Sequence, residues 1–139
     1  MYSHEIEVRV RYGETDMMGY LYYGYYSFYY EQARVDTMRS LGISYKKMEE
    51  LGYLLPVVDM HIKFIKPAYY DDIVRIKTMI RTMPKVRHHF YYEMYNDQGE
   101  LINVAETTLV YLDKETRKPV GCPSFVRDLL KPYLEKTGE

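Results

Sequence analysis

Residues 22–41 read YYGYYSFYYEQARVDTMRSL, and the period of this stretch decides the fold. Seven tyrosines fall between Tyr20 and Tyr30, so a strand, a helix and a low-complexity run all compete here. Tyr26, Tyr29, Tyr30, Ala33, Thr37 and Leu41 lie on one stripe at 3.6-residue spacing, which predicts a long helix from about Tyr22 to Leu41. Phe28 and Val35 stand nearly opposite, among Gln32 and Arg39, so both sides of the helix want cover. Gly42 suits the C′ position. Ser44 then caps a short second helix, SYKKMEELG, closed by Gly52.

Outside the helices the period changes to two. In EIEVRVR (5–11), Ile6, Val8 and Val10 share one face, and Glu5, Glu7, Arg9 and Arg11 the other. Val58, Met60, Ile62 and Phe64 alternate with Asp59, His61 and Lys63 until Pro67. Val74, Ile76, Thr78 and Ile80 alternate with Arg75, Lys77 and Arg81 up to a turn at Pro84 and Lys85. Phe90, Tyr92 and Met94 alternate with His89, Tyr91 and Glu93, and NDQG (96–99) is a hairpin turn. A long last strand runs from Ile102 to Leu112, followed by a turn around Lys114–Lys118. A helix from about Ser124 to Lys136 closes the chain, with Pro132 expected to kink or break it.

The order is strand, long helix, short helix, four strands, helix. Strands joined by short turns are expected to be antiparallel. Each has one apolar and one charged face, so one side of the sheet is covered and one is wet. The long helix is the element large enough to cover it. This is an α+β architecture, a curved antiparallel sheet around a long central helix, in a single domain over 1–139.

Bulk composition narrows the function. The chain has 139 residues, 47% hydrophobic and 28% charged, with a net charge of −1. That balance offers no bulk attraction to nucleic acid or to an anionic membrane. Cys122 is the single cysteine, which excludes an intrachain disulfide and fits a reducing compartment. No apolar run reaches the ~18 residues of a membrane span, and MYSHEIEVRV is not a signal peptide. A cytoplasmic location is the expectation.

GxSxG, GxGxxG, the P-loop, HExxH and CxxC are all absent. His88 and His89 are adjacent, so in a strand they face opposite ways and cannot share a metal. No metal and no cofactor are expected. Cys122 has no histidine near it in sequence and reads as structural. Lys63, Lys66, Lys85 and Arg87 scatter positive charge near strand ends and turns, as a solvated surface or as a hold on a phosphorylated ligand.

Asp16 lies in a Thr-Asp-x-x-Gly turn between strand and helix. One reading is a turn aspartate, since Asp favours such places for backbone hydrogen bonds. The other is chemical. The first N–H groups of the following helix lack intrahelical partners and, with the helix dipole, attract a developing oxyanion. A carboxylate beside them can serve as base or nucleophile toward a polarised carbonyl. Glu31 and Arg34, three apart on the helix, can pair. Tyrosines near the helix start could line a pocket, and those further along read as core or subunit packing.

The run V-R-Y-x-E-T-D-x-x-G-x-L-Y-Y-x-x-Y-x-x-x-x-E-x-A-R resembles the opening signature of the 4-hydroxybenzoyl-CoA thioesterase family of hot-dog proteins. KFIKPAYYDD (63–72) is similar to its later RPA-x-x-x-D segment, and the resemblance covers about residues 4–122. It implies hydrolysis of an acyl-CoA thioester to free acid and CoA, without metal or cofactor. It also implies a homodimer with joined sheets, often paired into a homotetramer, and active sites at the dimer interface. Carried over, Asp16 is the catalytic carboxylate and Gly19 lets the turn approach closely. The Tyr23 backbone N–H polarises the thioester carbonyl. Tyr26 and Glu31 shape the pocket, and Lys85 and Arg87 meet CoA phosphates. Many members carry His or Asn where Tyr23 stands, so a side-chain role there is lost while the backbone donor survives. A hot-dog protein that binds acyl thioesters or a protein partner without hydrolysis is the alternative. A hydratase is disfavoured, because no histidine lies between His4 and His61.

Overall fold

The computed structural model describes residues 1–134. Strand β1 (Tyr2–Arg9) leads through a loop to helix α1 (Tyr26–Ser40) and the short helix α2 (Tyr45–Glu50). There follow β2 (Tyr53–Leu54), β3 (Val57–Phe64), β4 (Ile73–Ile80), β5 (Arg87–Tyr95), β6 (Leu101–Val110), β7 (Leu112–Asp113) and helix α3 (Ser124–Leu134). Five strands form one antiparallel sheet in the order β1-β4-β5-β6-β3, and β2 pairs with β7. Helix α1 lies on one face of that sheet, chiefly against β1 and β4. This is the hot-dog arrangement.

Alternation places the core. Ile76, Thr78 and Ile80 of β4 are buried, as are His88, Phe90, Tyr92 and Met94 of β5 and Asn103, Thr107 and Leu109 of β6. From above, Tyr26, Tyr29, Tyr30, Ala33, Thr37 and Met38 of α1 meet them. The opposite face carries charge, such as the Glu5–Arg75 pair at 3.2 Å and Arg81 stacked 4.0 Å over the Tyr91 ring. Alternating residues thus build an apolar and a wet face, as the two-residue period requires.

Several expectations change in detail. The helix does not start at Tyr22. Residues Tyr23–Tyr25 form a 3-10 turn, with Gly24 and two aromatics, all weak α-formers, at the entry. The Ser44 side chain accepts from Lys47 N–H at 3.0 Å, and Gly42 and Gly52 adopt φ +91 and +97 at the two helix ends. Pro132 does not break α3, which runs through it to Leu134, and the expected extension to Lys136 lies outside the described residues. Glu31 and Arg34 do not pair. Arg34 turns inward, 5% exposed, donating to Tyr45 Oη at 3.2 Å and Tyr92 Oη at 3.4 Å, while Glu31 stays in solvent. A surface pair at that spacing contributes only ~0.2–0.5 kcal/mol, so buried partners win.

The sheet is not a simple meander. Strands β4, β5 and β6 follow one another, but β3 and β4 are not neighbours. The chain from 65 to 72 leaves the β3 edge and crosses the end of the sheet to reach β4. Ile65 and Lys66 N–H both donate to Ile102 O at 3.0 Å, and Ala68 O accepts from Leu21 N–H at 2.7 Å. Pro67, without an N–H, sits in this crossing rather than in a ladder.

Buried tyrosines need partners for their hydroxyls, and they have them. Tyr30 Oη donates to Asn103 Oδ1 at 2.6 Å, and Tyr92 Oη bonds Thr107 Oγ1 at 2.7 Å. Among the described residues Asn103 Nδ2 has no partner, so the Tyr30 bond is what satisfies this side chain. Tyr30→Phe is therefore expected to cost about 1–3 kcal/mol, the penalty for a buried acceptor left empty. Urea unfolding measures it, and adding Asn103→Leu to the variant should restore part of the loss. An unchanged midpoint in the single variant contradicts this account.

Candidate active site

The site forms where the crossing segment passes the start of α1. A cavity of about 290 Å³ is lined there by Asp16, Tyr20, Leu21, Tyr23, Tyr26 and residues 64–67. The walls come from three places: the turn after β1, the helix entry and the end of β3. Ring contacts knit them, with Tyr26 edge-on to Phe64 at 5.0 Å and Tyr20 edge-on to Tyr69 at 5.2 Å.

The Asp16 turn explains itself locally. Asp16 Oδ1 accepts from Met18 N–H at 2.9 Å and Tyr20 N–H at 3.1 Å. Gly19 N–H donates to Asp16 O at 3.0 Å, and Asp16 N–H to Tyr20 O at 2.9 Å. Gly19 takes φ +77, a left-handed conformation that a side chain disfavours. The structural reading of Asp16 is thus correct, but it uses one oxygen only. Among the described residues nothing donates to Oδ2, and the side chain is exposed at the cavity wall.

Donors sit close by. Tyr22 N–H is taken by Glu14 O at 2.8 Å and Tyr25 N–H by Tyr22 O at 2.9 Å. Among the described residues the N–H groups of Tyr23 and Gly24 have no acceptor. These are the orphan donors of a helix entry, where negative charge is stabilised. Burial pushes the Tyr26 phenol above its ordinary value, a hydrogen bond with the Ala68 backbone pulls it back, and the Asp16 charge raises it further. Tyr26 stays a neutral phenol beside the carboxylate.

Asp16, Gly19, Tyr23 and Tyr26 therefore come together. Glu31, Lys85 and Arg87 do not. Glu31 is exposed further along α1 and lines no part of the cavity. Arg87 pairs with Val110 of β6, whereas Phe64 at the cavity pairs with Asn103. That separation along β6 is roughly 24 Å at ~3.4 Å per residue, so the Lys85–Arg87 turn lies at the far end of the same protomer. Lys66 is the cation that lines the cavity, with Nζ 2.6 Å from Glu100 Oε2.

Sequence reasoning missed Phe64, Ile65 and Pro67 as site walls, because a crossover cannot be told from a turn by periodicity. It also missed Glu14. This carboxylate is 8% exposed, accepts from Tyr29 Oη at 2.5 Å and Arg11 N–H at 3.1 Å, and pairs with Arg11 Nη2 at 3.1 Å. Burial alone would raise its carboxyl, but the bonds from Tyr29 and Arg11 outweigh that and hold it below the usual value. Its place two residues before Asp16 was the available signal.

Comparison with known proteins adds to this geometry. A family model described as the thioesterase-like superfamily matches residues 10–130. The chain is 36% identical over 120 residues to YneP of Bacillus subtilis, whose name gives it provisionally as an acyl-CoA thioesterase. The match covers 86% of this chain and 87% of YneP. It is 30% identical over 119 residues to the acyl-CoA thioester hydrolase YbgC of Escherichia coli, covering 86% and 89%. Among solved structures, the DHNA-CoA thioesterase from Staphylococcus aureus superposes with a TM-score of 0.83 at 33% identity, covering 98% of this chain and 86% of that one.

Proposed function

The chain belongs to the thioesterase-like superfamily and is a thioester hydrolase, and on that premise we propose that it cleaves acyl-CoA to free acid and CoA with Asp16 as the reacting carboxylate. What supports the reading is that Asp16, whose Oδ2 takes no donor among the described residues, lines one cavity with Tyr23, whose N–H, like that of the next residue Gly24, has no acceptor among them. The thioester carbonyl oxygen is placed against those donors. As Asp16 or a water it activates adds to the carbonyl carbon, the negative charge on oxygen grows where the donors already point. The C–S bond then breaks, CoA leaves as a thiol, and water supplies the hydroxyl of the acid. Tyr20, Tyr26 and Phe64 hold the acyl group by apolar contact. A screen of acyl-CoAs across chain length and aryl esters tests the activity. Binding of CoA esters with no hydrolysis of any would favour the non-catalytic alternative.

The site is proposed to be completed by a second copy. β3 is an edge strand, and Val57, Val58 and Phe64 along it are exposed. An open apolar edge of this length is a template for pairing. Pairing β3 with β3 about a two-fold axis normal to the sheet is antiparallel. It sets the Val57 end of one copy beside the Phe64 end of the other. The far-end turn carrying Lys85 and Arg87 then approaches the cavity from the second copy, which gives those cations a route to CoA phosphates that a lone protomer lacks. Homodimers, with tetramers as pairs of them, are expected in light scattering. A monomer at assay concentration contradicts this assembly, as does a dimer abolished by neither Val58→Lys nor Ile62→Lys.

A further inference from the structure

We propose that Glu14 and Tyr29 form a positioning pair that sets the Asp16 carboxylate and the Tyr23 N–H at their working separation. The inference rests on the function proposed above. Glu14 ties three points at once. Its backbone oxygen takes Tyr22 N–H at 2.8 Å, fixing the residue just before the donor group. Its carboxylate takes the Arg11 N–H at the entry of the turn and the Tyr29 hydroxyl from α1. Asp16 follows two residues later, so carboxylate and donor are both tied to this residue, alongside the backbone bonds from Tyr70 N–H to Gly19 O and from Leu21 N–H to Ala68 O.

Packing does not do the same job. The loop between β1 and α1 stands between two cavities. On one side is the site itself. On the other is a cavity of about 560 Å³ bordered by Val8, Arg11, Glu14, Phe28 and Tyr29. Tyr12, Met17 and Met18 of the loop project into solvent. Val10 and Leu21 seat the two ends of the loop in the core, so it is the exposed turn between them that polar ties must locate. A buried carboxylate is costly unless hydrogen-bonded, and here its bonds join Arg11 in the loop to Tyr29 on α1. Displacement of a reacting group by ~1 Å can cost on the order of 10²-fold in rate, so the tie bears on catalysis rather than on folding alone.

The test compares wild type with Tyr29→Phe, Glu14→Gln and Glu14→Ala on an acyl-CoA that the wild type cleaves. Tyr29→Phe removes one hydroxyl and is expected to lower kcat about tenfold with KM within about twofold, because placement and not ground-state binding is lost. Glu14→Gln keeps an oxygen for Tyr29 and Arg11 and should retain most of kcat. Glu14→Ala should lose about 10–100-fold. Combining it with Tyr29→Phe should add little, since the two act as one unit. Amide exchange at Met18, Tyr20 and Tyr22 gives a second readout and should quicken in Tyr29→Phe. Wild-type kcat and wild-type exchange in Tyr29→Phe overturn the proposal, as does equal loss in Glu14→Gln and Glu14→Ala. A wild type that cleaves no thioester fails the proposed function instead, and exchange then decides the positioning by itself.

Discussion

Asp16→Asn is expected to reduce kcat/KM toward acyl-CoA by ~10²-fold or more, the scale of a general-base contribution. The substitution is unusually clean at this position. Asn keeps a carbonyl oxygen at the place of Oδ1, so the bonds from Met18 and Tyr20 N–H can persist and the turn with Gly19 can keep its shape. What disappears is the negative charge on Oδ2, the oxygen without a donor among the described residues. Fold and chemistry thus separate on two atoms of one side chain. The measurement is kcat/KM for both proteins on the same substrate, with a thermal melt to show that the variant is folded. If Asp16 served the turn alone, the variant would hydrolyse at the wild-type rate, and the assignment of the carboxylate would be wrong.

The second large effect concerns stability in acid. His88 is fully buried, stacked on Phe90 with ring centroids 4.3 Å apart, and its Nδ1 lies 2.7 Å from Tyr111 Oη. Nε2 has no partner. Burial first, then the charges of His89 and Arg34, push its pKa down from the usual 6.5 to about 3. The unfolded chain takes up this proton near pH 6.5, and the folded chain resists it until near pH 3. Stability from His88 is therefore complete above pH 6.5 and falls as pH drops through that window. Each unit contributes ~1.4 kcal/mol, so about 2 kcal/mol is lost between pH 6.5 and 5. The carboxyls held low by hydrogen bonds, Glu14, Glu100 and Asp113, add their losses below ~4.5, which leaves the upper window to His88. Urea midpoints at pH 7, 6 and 5 should decline in wild type and decline less in His88→Phe. Parallel slopes would refute a buried neutral His88.

Much of the fold was legible because it is written in periods. The stripe of Tyr26, Tyr29, Tyr30, Ala33 and Thr37 is buried as spaced, and β4 and β5 alternate inward and outward as read, apart from buried Met79, whereas the last long strand ends at Val110 and Leu112 belongs to β7 instead. Ser44 and the NDQG turn are local chemistry, and the Asn96 side chain duly accepts from Gln98 and Glu100 N–H. What periods do not carry is adjacency. Nothing in VVDMHIKF says that β3 pairs with β6 at the edge, nor that Pro67 marks a crossing rather than a reversal. The site inherits both sides of this. The turn and its glycine are short-range and readable, while Phe64 and Ile65 reach the cavity only through long-range topology. Arg34 shows the same limit: helix spacing allows a partner at Glu31, and only tertiary packing reveals the phenols that claim it.

The register of β1 carries a consequence for how the protein comes into being. Tyr2 sits opposite Ile80 and Arg9 opposite Ile73, so the first strand made has its only sheet partner in the second half of the chain. During synthesis the N-terminal strand must wait, unpaired, while α1, α2 and β3 emerge. Such distant closures slow folding, because chain entropy is lost before any contact compensates. The Asp16 turn is slung between that waiting strand and α1, and the Val10 backbone bonds to Asp71 N–H and Asp72 O. Nascent chains released before β4 would hold every proposed catalytic residue and still lack the strand that anchors β1, and with it the leading end of the loop.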